Sequence, residues 1–386
     1  MRTLLVTGPG GSGRTTVAAA TALAAADAGH RVLVLSADRT DTLGAVLGGP
    51  HAHPGLTARR LTPDDRFRDD LAALQDRAAS ALDLLGADRI DAEELTPLPG
   101  AEELALLRAL RDAARDDTYD TVVVDLPPAP KALAVLALPE QLRRYLRKLL
   151  PPERQAARAL RPMLGRLAGV PMPAAWLYET AARWEDDLAA AQAVIEAPTT
   201  TVRLVAEPGP AGADALDAAT TGLALQGLRT DLLVANRLLP DASADTWLAA
   251  LAAQQHKTLA AWETEYEQVT TVRHLGHDPR GTDDLTALGL PGRTEAPAPV
   301  QWPVTAAPAD EENHAYVWHI PLPGVVREEL GLIRRGDELV ITAGVFRRIV
   351  TLPSALRRCT VAGAGLREGE LRVRFAPDPG LWPRER

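Results

Sequence analysis

A glycine-rich loop directly follows the first apolar segment of this 386-residue chain. The segment is Thr3–Thr7, the loop reads Gly8-Pro9-Gly10-Gly11-Ser12-Gly13-Arg14-Thr15-Thr16, and an alanine-rich helical pattern begins at Val17. Strand, glycine loop and helix in this order are typical of a P-loop, G-x-x-x-x-G-K-[ST], with Arg14 in place of the lysine. Converging backbone N–H groups and the amino end of a helix attract phosphate oxygens. The sequence therefore predicts a phosphate-binding site.

The side chains around this loop suggest specific roles. The predicted nucleotide-binding residues are Gly10, Gly11, Ser12, Gly13, Arg14, Thr15 and Thr16. The Thr15 hydroxyl and Asp125, which ends the apolar run Thr121–Val124, are the predicted Mg²⁺ ligands. Asp38, at the end of another apolar run, is predicted to polarise the attacking water. Aspartates at strand ends are also common turn residues, and a glycine-rich turn can be a turn alone, so these structural alternatives stay open.

Five short apolar runs predict the fold class of the amino-terminal part. They lack strict alternation, as strands covered on both faces do, and helical patterns separate them. The runs are Thr3–Thr7, Arg31–Leu35, Thr121–Val124, Thr201–Val205 and Asp231–Val234. We therefore expect an α/β domain of the P-loop NTPase type with a parallel sheet. Residues 140–197 show no strand signal and predict a helical insertion, which either caps the sheet or forms a lid or groove.

The carboxyl-terminal part has a different composition. Residues 291–313 are rich in proline, which is typical of a linker. Short alternating segments with glycine-containing turns follow within residues 314–380, and they predict a small all-β sandwich.

Composition excludes several classes of protein. The net charge of −9 argues against a nucleic-acid-coating protein. A single cysteine, Cys359, excludes a disulfide framework within the chain. No apolar run approaches the roughly 20 residues that a membrane span requires, so we expect no stable membrane insertion and a cytoplasmic protein. Lys131, Lys148 and Lys257 are the only lysines, so arginine makes up nearly all of the 42 basic residues.

Residues 1–290 resemble the ArsA family, which comprises arsenite-efflux ATPases and the ATPases that target tail-anchored membrane proteins. The family loop K-G-G-V-G-K-T-T aligns with residues 9–16, its first switch S-T-D-P-A-H-S-L with residues 36–43, and its second switch D-T-A-P-T-G-H-T-L with residues 125–133. The resemblance implies ATP and Mg²⁺ as ligands, Asn236 as the adenine contact, and a homodimer. It also implies an ATPase whose nucleotide state gates an apolar or amphipathic protein or lipid client. Because Arg14 and Pro9 replace the motif lysines, we expect hydrolysis to be slow. The tail resembles the α-crystallin (small heat-shock) domain found in one branch.

The chain departs from the family pattern at informative positions. Pro9 stands where the family carries a signature lysine that reaches the partner's nucleotide, and Arg39 in the first switch is a candidate replacement for that charge. Pro127, Pro128 and Pro130 should stiffen the second switch. These changes keep a second hypothesis open, a non-hydrolysing nucleotide-binding or scaffold protein. Transport of a metalloid is disfavoured, because soft As(III) prefers several thiolates and Cys359 is the one cysteine of the chain. The C-x-x-C pair of the inter-subunit zinc site in the targeting ATPases is also absent.

Overall fold

A computed structural model describes residues 1–38, 40–49, 52–62, 99–150, 175–240, 244–306, 316–378 and 380, with scattered positions between 63 and 98. Arg39 lies outside the described residues. Within them, seven parallel strands form one sheet in the order β3-β2-β4-β1-β5-β6-β7. The strands are β1 (Arg2–Thr7), β2 (Val32–Ser36), β3 (Leu56–Arg60), β4 (Thr121–Asp125), β5 (Thr200–Ala206), β6 (Thr230–Leu238) and β7 (Val269–Arg273).

The helices of this domain cover both faces of the sheet. They are α1 (Arg14–Asp27), α2 (Thr42–Leu47), α3 (Ala101–Arg115), α4 (Ala129–Leu149), α5 (Ala175–Glu196), α6 (Pro210–Gln226), α7 (Thr246–Glu265) and α8 (Gly281–Ala287). Helices α1, α2 and α8 enclose one apolar core, and α3 to α6 enclose another on the opposite face. No helix in the described ranges is both long and apolar enough to cross a bilayer.

The predicted α/β class is confirmed, and the five predicted runs are the five central strands. The edge strands β3 and β7 escaped prediction because they are largely polar. In β3 only Leu56 is buried, and in β7 only Val272 is. An edge strand has one neighbour and less cover, so its sequence lacks the apolar run that marks a central strand.

The segment predicted as a helical insertion is helical where it is described. Helix α4 starts earlier, at Ala129, and continues through Pro139, while residues 151–174 lie outside the described part. Helix α5 packs against α4 and α3. Arg143 Nε donates to Glu185 Oε1 at 3.0 Å, and Arg111 Nη1 lies 2.6 Å from Asp187 Oδ1. These charge-assisted contacts tie α5 to the main domain.

The carboxyl-terminal strands form the predicted sandwich of two antiparallel sheets in the described residues. One sheet has the order β10-β11-β12 and the other β13-β14-β9-β8. The strands are β8 (Val304–Ala306), β9 (Tyr316–Pro321), β10 (Leu330–Arg335), β11 (Glu338–Ala343), β12 (Phe346–Thr351), β13 (Cys359–Arg367) and β14 (Glu370–Pro377). Strand β8 comes from the segment predicted as a linker and pairs with β9 as an edge strand.

The sandwich is docked on helices α4 and α6. Arg144 makes a bidentate pair with Glu338, with both N···O distances 2.8 Å, and Lys148 Nζ lies 2.9 Å from the same carboxylate. Arg348 Nε donates to Glu140 Oε2 at 3.1 Å. Leu225 of α6 is fully buried in the apolar core of the sandwich. Helix α4 therefore connects the α/β domain to the sandwich through ionic contacts, and α6 connects them through apolar packing.

Candidate nucleotide site

The glycine loop lies at the carboxyl edge of the sheet, between β1 and α1. Strand β1 is central, with β4 on one side and β5 on the other, which is where ligands bind in open α/β sheets. A Cβ on Gly8 would lie 1.9 Å from the carbonyl oxygen of Val205, so only glycine fits there. A Cβ on Gly10 or Gly11 would meet no atom within 4 Å, and the loop therefore leaves open space where phosphate oxygens would lie.

The Thr15 hydroxyl and the Asp125 carboxylate, predicted as metal ligands, are in contact. Thr15 Oγ1 donates to Asp125 Oδ2 at 2.9 Å, and Ser36 Oγ donates to the same oxygen at 3.0 Å. Burial raises the pKa of Asp125, and the two hydrogen bonds oppose that effect only in part. A hydroxyl and a carboxylate beside a phosphate loop are hard oxygen donors of the kind Mg²⁺ prefers. The donor set fits the ion that the family implies.

Asp38 lies at the end of β2, where its carboxylate is held by the start of α2. Thr42 Oγ1 donates to Asp38 Oδ2 at 2.7 Å, and Thr40 Oγ1 donates to Oδ1 at 3.0 Å. Burial favours the neutral acid, but these hydrogen bonds outweigh it and lower the pKa of Asp38. Asp38 is therefore an ionised, oriented acceptor at neutral pH.

Arg14, the residue at the lysine position, contacts the second switch. Its Nη1 donates to the carbonyl oxygen of Leu126 at 2.5 Å. Burial lowers the pKa of Arg14, and the nearby carboxylates of Asp125 and Asp38 counteract that effect. The guanidinium thus joins the glycine loop to the segment directly after β4.

One cavity of about 340 Å³ brings four predicted residues together. Arg14, Thr15, Asp38 and Asp125 line it. A metal ion held by Thr15 and Asp125 would lie in this cavity, so we expect the terminal phosphates of a nucleotide at this end of the loop. Its further lining includes Lys131, Glu102 and Glu103, which the sequence did not single out as site residues.

Asn236 and Thr16 line a second cavity of about 170 Å³ on the other side of the loop. Asn236 is buried, and its Nδ2 donates to the Ser12 carbonyl oxygen at 2.8 Å. Arg237 also lines this cavity, and its Nη1 donates to the Gly11 carbonyl oxygen at 2.8 Å. Sequence reasoning missed Arg237, although it directly follows Asn236. Its contact depends on a left-handed backbone (φ 59°) at an irregularity in β6.

The prolines of the second switch lie where α4 begins. Pro127 accepts a hydrogen bond from Thr7 Oγ1 at 2.8 Å, Pro128 is the residue before the helix, and Pro130 lies in its first turn. Proline is tolerated in a first helical turn because the N–H groups there have no partner within the helix. Pro128 and Pro130 therefore suit the start of α4, and the stiffening of the second switch stays a prediction.

A family comparison agrees with this geometry. Residues 1–289 match the profile of the anion-transporting ATPases of the ArsA type. The chain belongs to the ArsA family. Residues 313–375 match the HSP20-like domain found in ArsA proteins, so the resemblance of the tail is confirmed as well.

Relatives of this ArsA-family protein extend over its whole length. The protein SCO2128 of Streptomyces coelicolor is 68% identical over 100% of this chain and 100% of its own. The protein Rv2184c of Mycobacterium tuberculosis is 32% identical over 99% of this chain and 97% of its own. The putative arsenical pump-driving ATPase 1 of Aquifex aeolicus is 25% identical over 97% of this chain and 99% of its own. The α/β domain and the sandwich are thus matched together.

Proposed function

We propose that this protein binds Mg-ATP at the loop of residues 8–16 and hydrolyses it slowly as a cytoplasmic homodimer. The observation that carries the proposal is the Thr15–Asp125 hydrogen bond of 2.9 Å beside an open glycine loop. This contact supports the proposal because a hydroxyl and a carboxylate, the donors that would hold Mg²⁺, lie beside a glycine loop with the order of elements that a P-loop requires.

Each predicted residue has a role in this proposal. The backbone of Gly10–Gly13 and the Arg14 guanidinium bind phosphate oxygens, while Thr15 and Asp125 hold Mg²⁺, which neutralises phosphate charge when bound. Asp38, ionised and oriented, accepts a hydrogen bond from the attacking water. Asn236 holds the loop through Ser12 and contacts the adenine from the second cavity.

Slow hydrolysis follows from the changed cations. Arg14 is already bonded to the Leu126 carbonyl oxygen, and a planar guanidinium is a different phosphate ligand from a compact ammonium. The same bond favours the second candidate, a protein that binds nucleotide without hydrolysing it. In that case Arg14 would hold the second switch in one position.

Client gating is supported by the course of helix α4. It starts in the second switch, contacts the sandwich through Arg144, and ends at Leu149, whose side chain is 77% exposed. Tyr145 on the same helix is 50% exposed. A shift of the second switch would therefore move an apolar surface. We propose that this surface binds the apolar or amphipathic client, a protein or a lipid.

A metalloid substrate is not proposed, although the Aquifex relative is named for an arsenical pump. The single thiol, Cys359, is buried in the sandwich core. Soft As(III) needs several thiolates, which one chain with one cysteine does not offer.

Calorimetric titration with Mg-ATP tests nucleotide binding and turnover together. Saturable heat followed by a sustained signal is expected for the slow ATPase, and Asp38→Asn should remove the sustained part while keeping the binding heat. Saturable heat alone in the wild type would favour the second candidate. No heat at all would contradict the nucleotide site.

Fluorescence of 1-anilinonaphthalene-8-sulfonate tests the apolar surface. We expect dye binding to differ between the ATP and ADP states of the wild type, and the difference to vanish in Leu149→Ser. Val345→Ser is the matched control, because Val345 is 85% exposed on the β11–β12 turn of the sandwich. Equal behaviour of the two variants would refute the placement of the client surface.

A further inference from the structure

Lys131 lines the same cavity as Arg14, Thr15, Asp38 and Asp125. It lies in the first turn of α4, which begins at Ala129 within the second switch, residues 125–133. The other lysines lie elsewhere: Lys148 contacts Glu338 of the sandwich, and Lys257 is exposed on α7. Lys131 is therefore the lysine ammonium that the fold brings to the predicted terminal-phosphate end.

The contacts of Lys131 are weak and exposed. Its Nζ lies 3.4 Å from Glu102 Oε2 and 3.4 Å from Glu103 Oε1, and its side chain is 51% exposed. Exposed ion pairs of this kind contribute little to stability, so the ammonium can exchange partners at small cost.

The two carboxylates have a source of charge compensation besides Lys131. Glu102 and Glu103 both lie in the first turn of α3, at the positive end of the helix dipole. The helix dipole therefore lowers the cost of releasing the ammonium. The arrangement suits a cation that is held near the site and transferred to an entering anion.

The site needs such a cation because its loop has lost the motif lysines. Pro9 carries no charge, and Arg14 donates to Leu126 at 2.5 Å. A lysine ammonium, on its flexible four-carbon stem, binds a phosphate oxygen as a compact point charge. A planar guanidinium that already donates to a carbonyl oxygen does not replace it.

We infer that Lys131 is the cation that binds the terminal phosphate of ATP in this protein. It is held by Glu102 and Glu103 before nucleotide enters, and it moves to the γ-phosphate when ATP is bound. The inference rests on the proposed nucleotide site and adds a residue to it. It also connects ATP, as distinct from ADP, to the first turn of α4.

The test compares ATP with ADP, because only ATP carries the phosphate that Lys131 would contact. Dissociation constants with Mg²⁺ are measured by calorimetry for the wild type, Lys131→Gln and Lys257→Gln. Loss of a charge-assisted hydrogen bond should weaken ATP binding about tenfold or more in Lys131→Gln and leave ADP within about twofold. Lys257→Gln, which removes the same charge from a distant surface, should bind both nucleotides as the wild type does.

The outcomes separate this inference from the function on which it rests. If the wild type binds ATP and Lys131→Gln keeps the same ratio of ATP to ADP affinity, the role of Lys131 is refuted while the nucleotide site stands. If the wild type binds neither nucleotide, both fall. Circular dichroism melting of Lys131→Gln, expected to match the wild type because the lost ion pairs are exposed, shows that the variant is folded.

Discussion

Gly13→Ala is expected to destabilise the protein through a contact that is absent at Gly11. Both glycines have left-handed backbones, with φ of 90° at Gly13 and 80° at Gly11. A Cβ at position 13 would lie 2.4 Å from Asn236 Nδ2, whereas a Cβ at position 11 would meet nothing within 4 Å. The two substitutions share the backbone strain and differ in the clash.

The magnitudes follow from these two contributions. A left-handed non-glycine residue costs about 1–2 kcal/mol, which is the whole effect expected for Gly11→Ala. At position 13 the buried Asn236 amide must also move away from the Ser12 carbonyl oxygen. Leaving that donor unsatisfied adds about 1–3 kcal/mol. We therefore expect Gly13→Ala to lower the free energy of unfolding by roughly 2 kcal/mol more than Gly11→Ala does.

A double-mutant cycle identifies the clash partner. Asn236→Ala removes the amide, so in that background Gly13→Ala should cost only the backbone strain, about 1–2 kcal/mol. Urea unfolding, monitored by far-ultraviolet circular dichroism, gives the free energy of unfolding of each variant in the cycle. The slope m must be equal among the variants, because only then can their free energies of unfolding be compared. Equal costs for Gly11→Ala and Gly13→Ala, or additivity of Gly13→Ala with Asn236→Ala, would refute the reasoning.

Three further perturbations test the site and its supports. Burial raises the folded-state pKa of Asp125, so the protonated carboxyl contributes to the free energy of unfolding at low pH, and this contribution is lost as pH rises through the folded-state pKa. The neutral amide of Asp125→Asn should therefore raise the melting temperature at neutral pH. The same variant should abolish Mg²⁺-dependent ATP binding. Hydrogen bonds from Arg144 lower the pKa of Glu338 from its ordinary value of 4.5 to about 2. The carboxylate therefore contributes to docking of the sandwich at pH values above 4.5, and this contribution is lost as the pH falls toward about 2. Glu338→Gln should weaken docking of the sandwich by about 1 kcal/mol, which would lower the temperature at which the sandwich melts. Mild acid should not lower the melting temperature of this variant any further, because the titrating carboxylate is gone. Arg203→Met removes the guanidinium that lies 3.0 Å from the buried Asp231 carboxylate. The carboxylate keeps the hydrogen bond from Thr294 and a longer contact of 3.7 Å with Arg2, so the expected cost in urea unfolding is about 3 kcal/mol, the lower end for breaking a buried pair. Adding Asp231→Asn should recover part of that loss.

The local sequence pattern was sufficient to predict the α/β class, the glycine loop and the central strands. A strand covered on both faces must be apolar throughout, and a P-loop needs its glycines and hydroxyl in a fixed order, so both leave a signature in consecutive residues. The positions of Thr15, Asp38 and Asp125 around one cavity also followed from the parallel sheet, because the carboxyl ends of its strands meet at one edge. Strands β3, β7 and β8 were not predicted, since edge strands carry no such pattern.

Patterns in consecutive residues are enough to identify the family, the central strands of the sheet and the glycine loop. Tertiary packing brings Lys131 into the cavity beside Asp125, bonds Arg14 to Leu126, sets Asn236 against the loop and docks the sandwich on α4. Each of these contacts joins residues far apart in the chain. Their formation depends on how helices and strands pack, which local spacing does not encode.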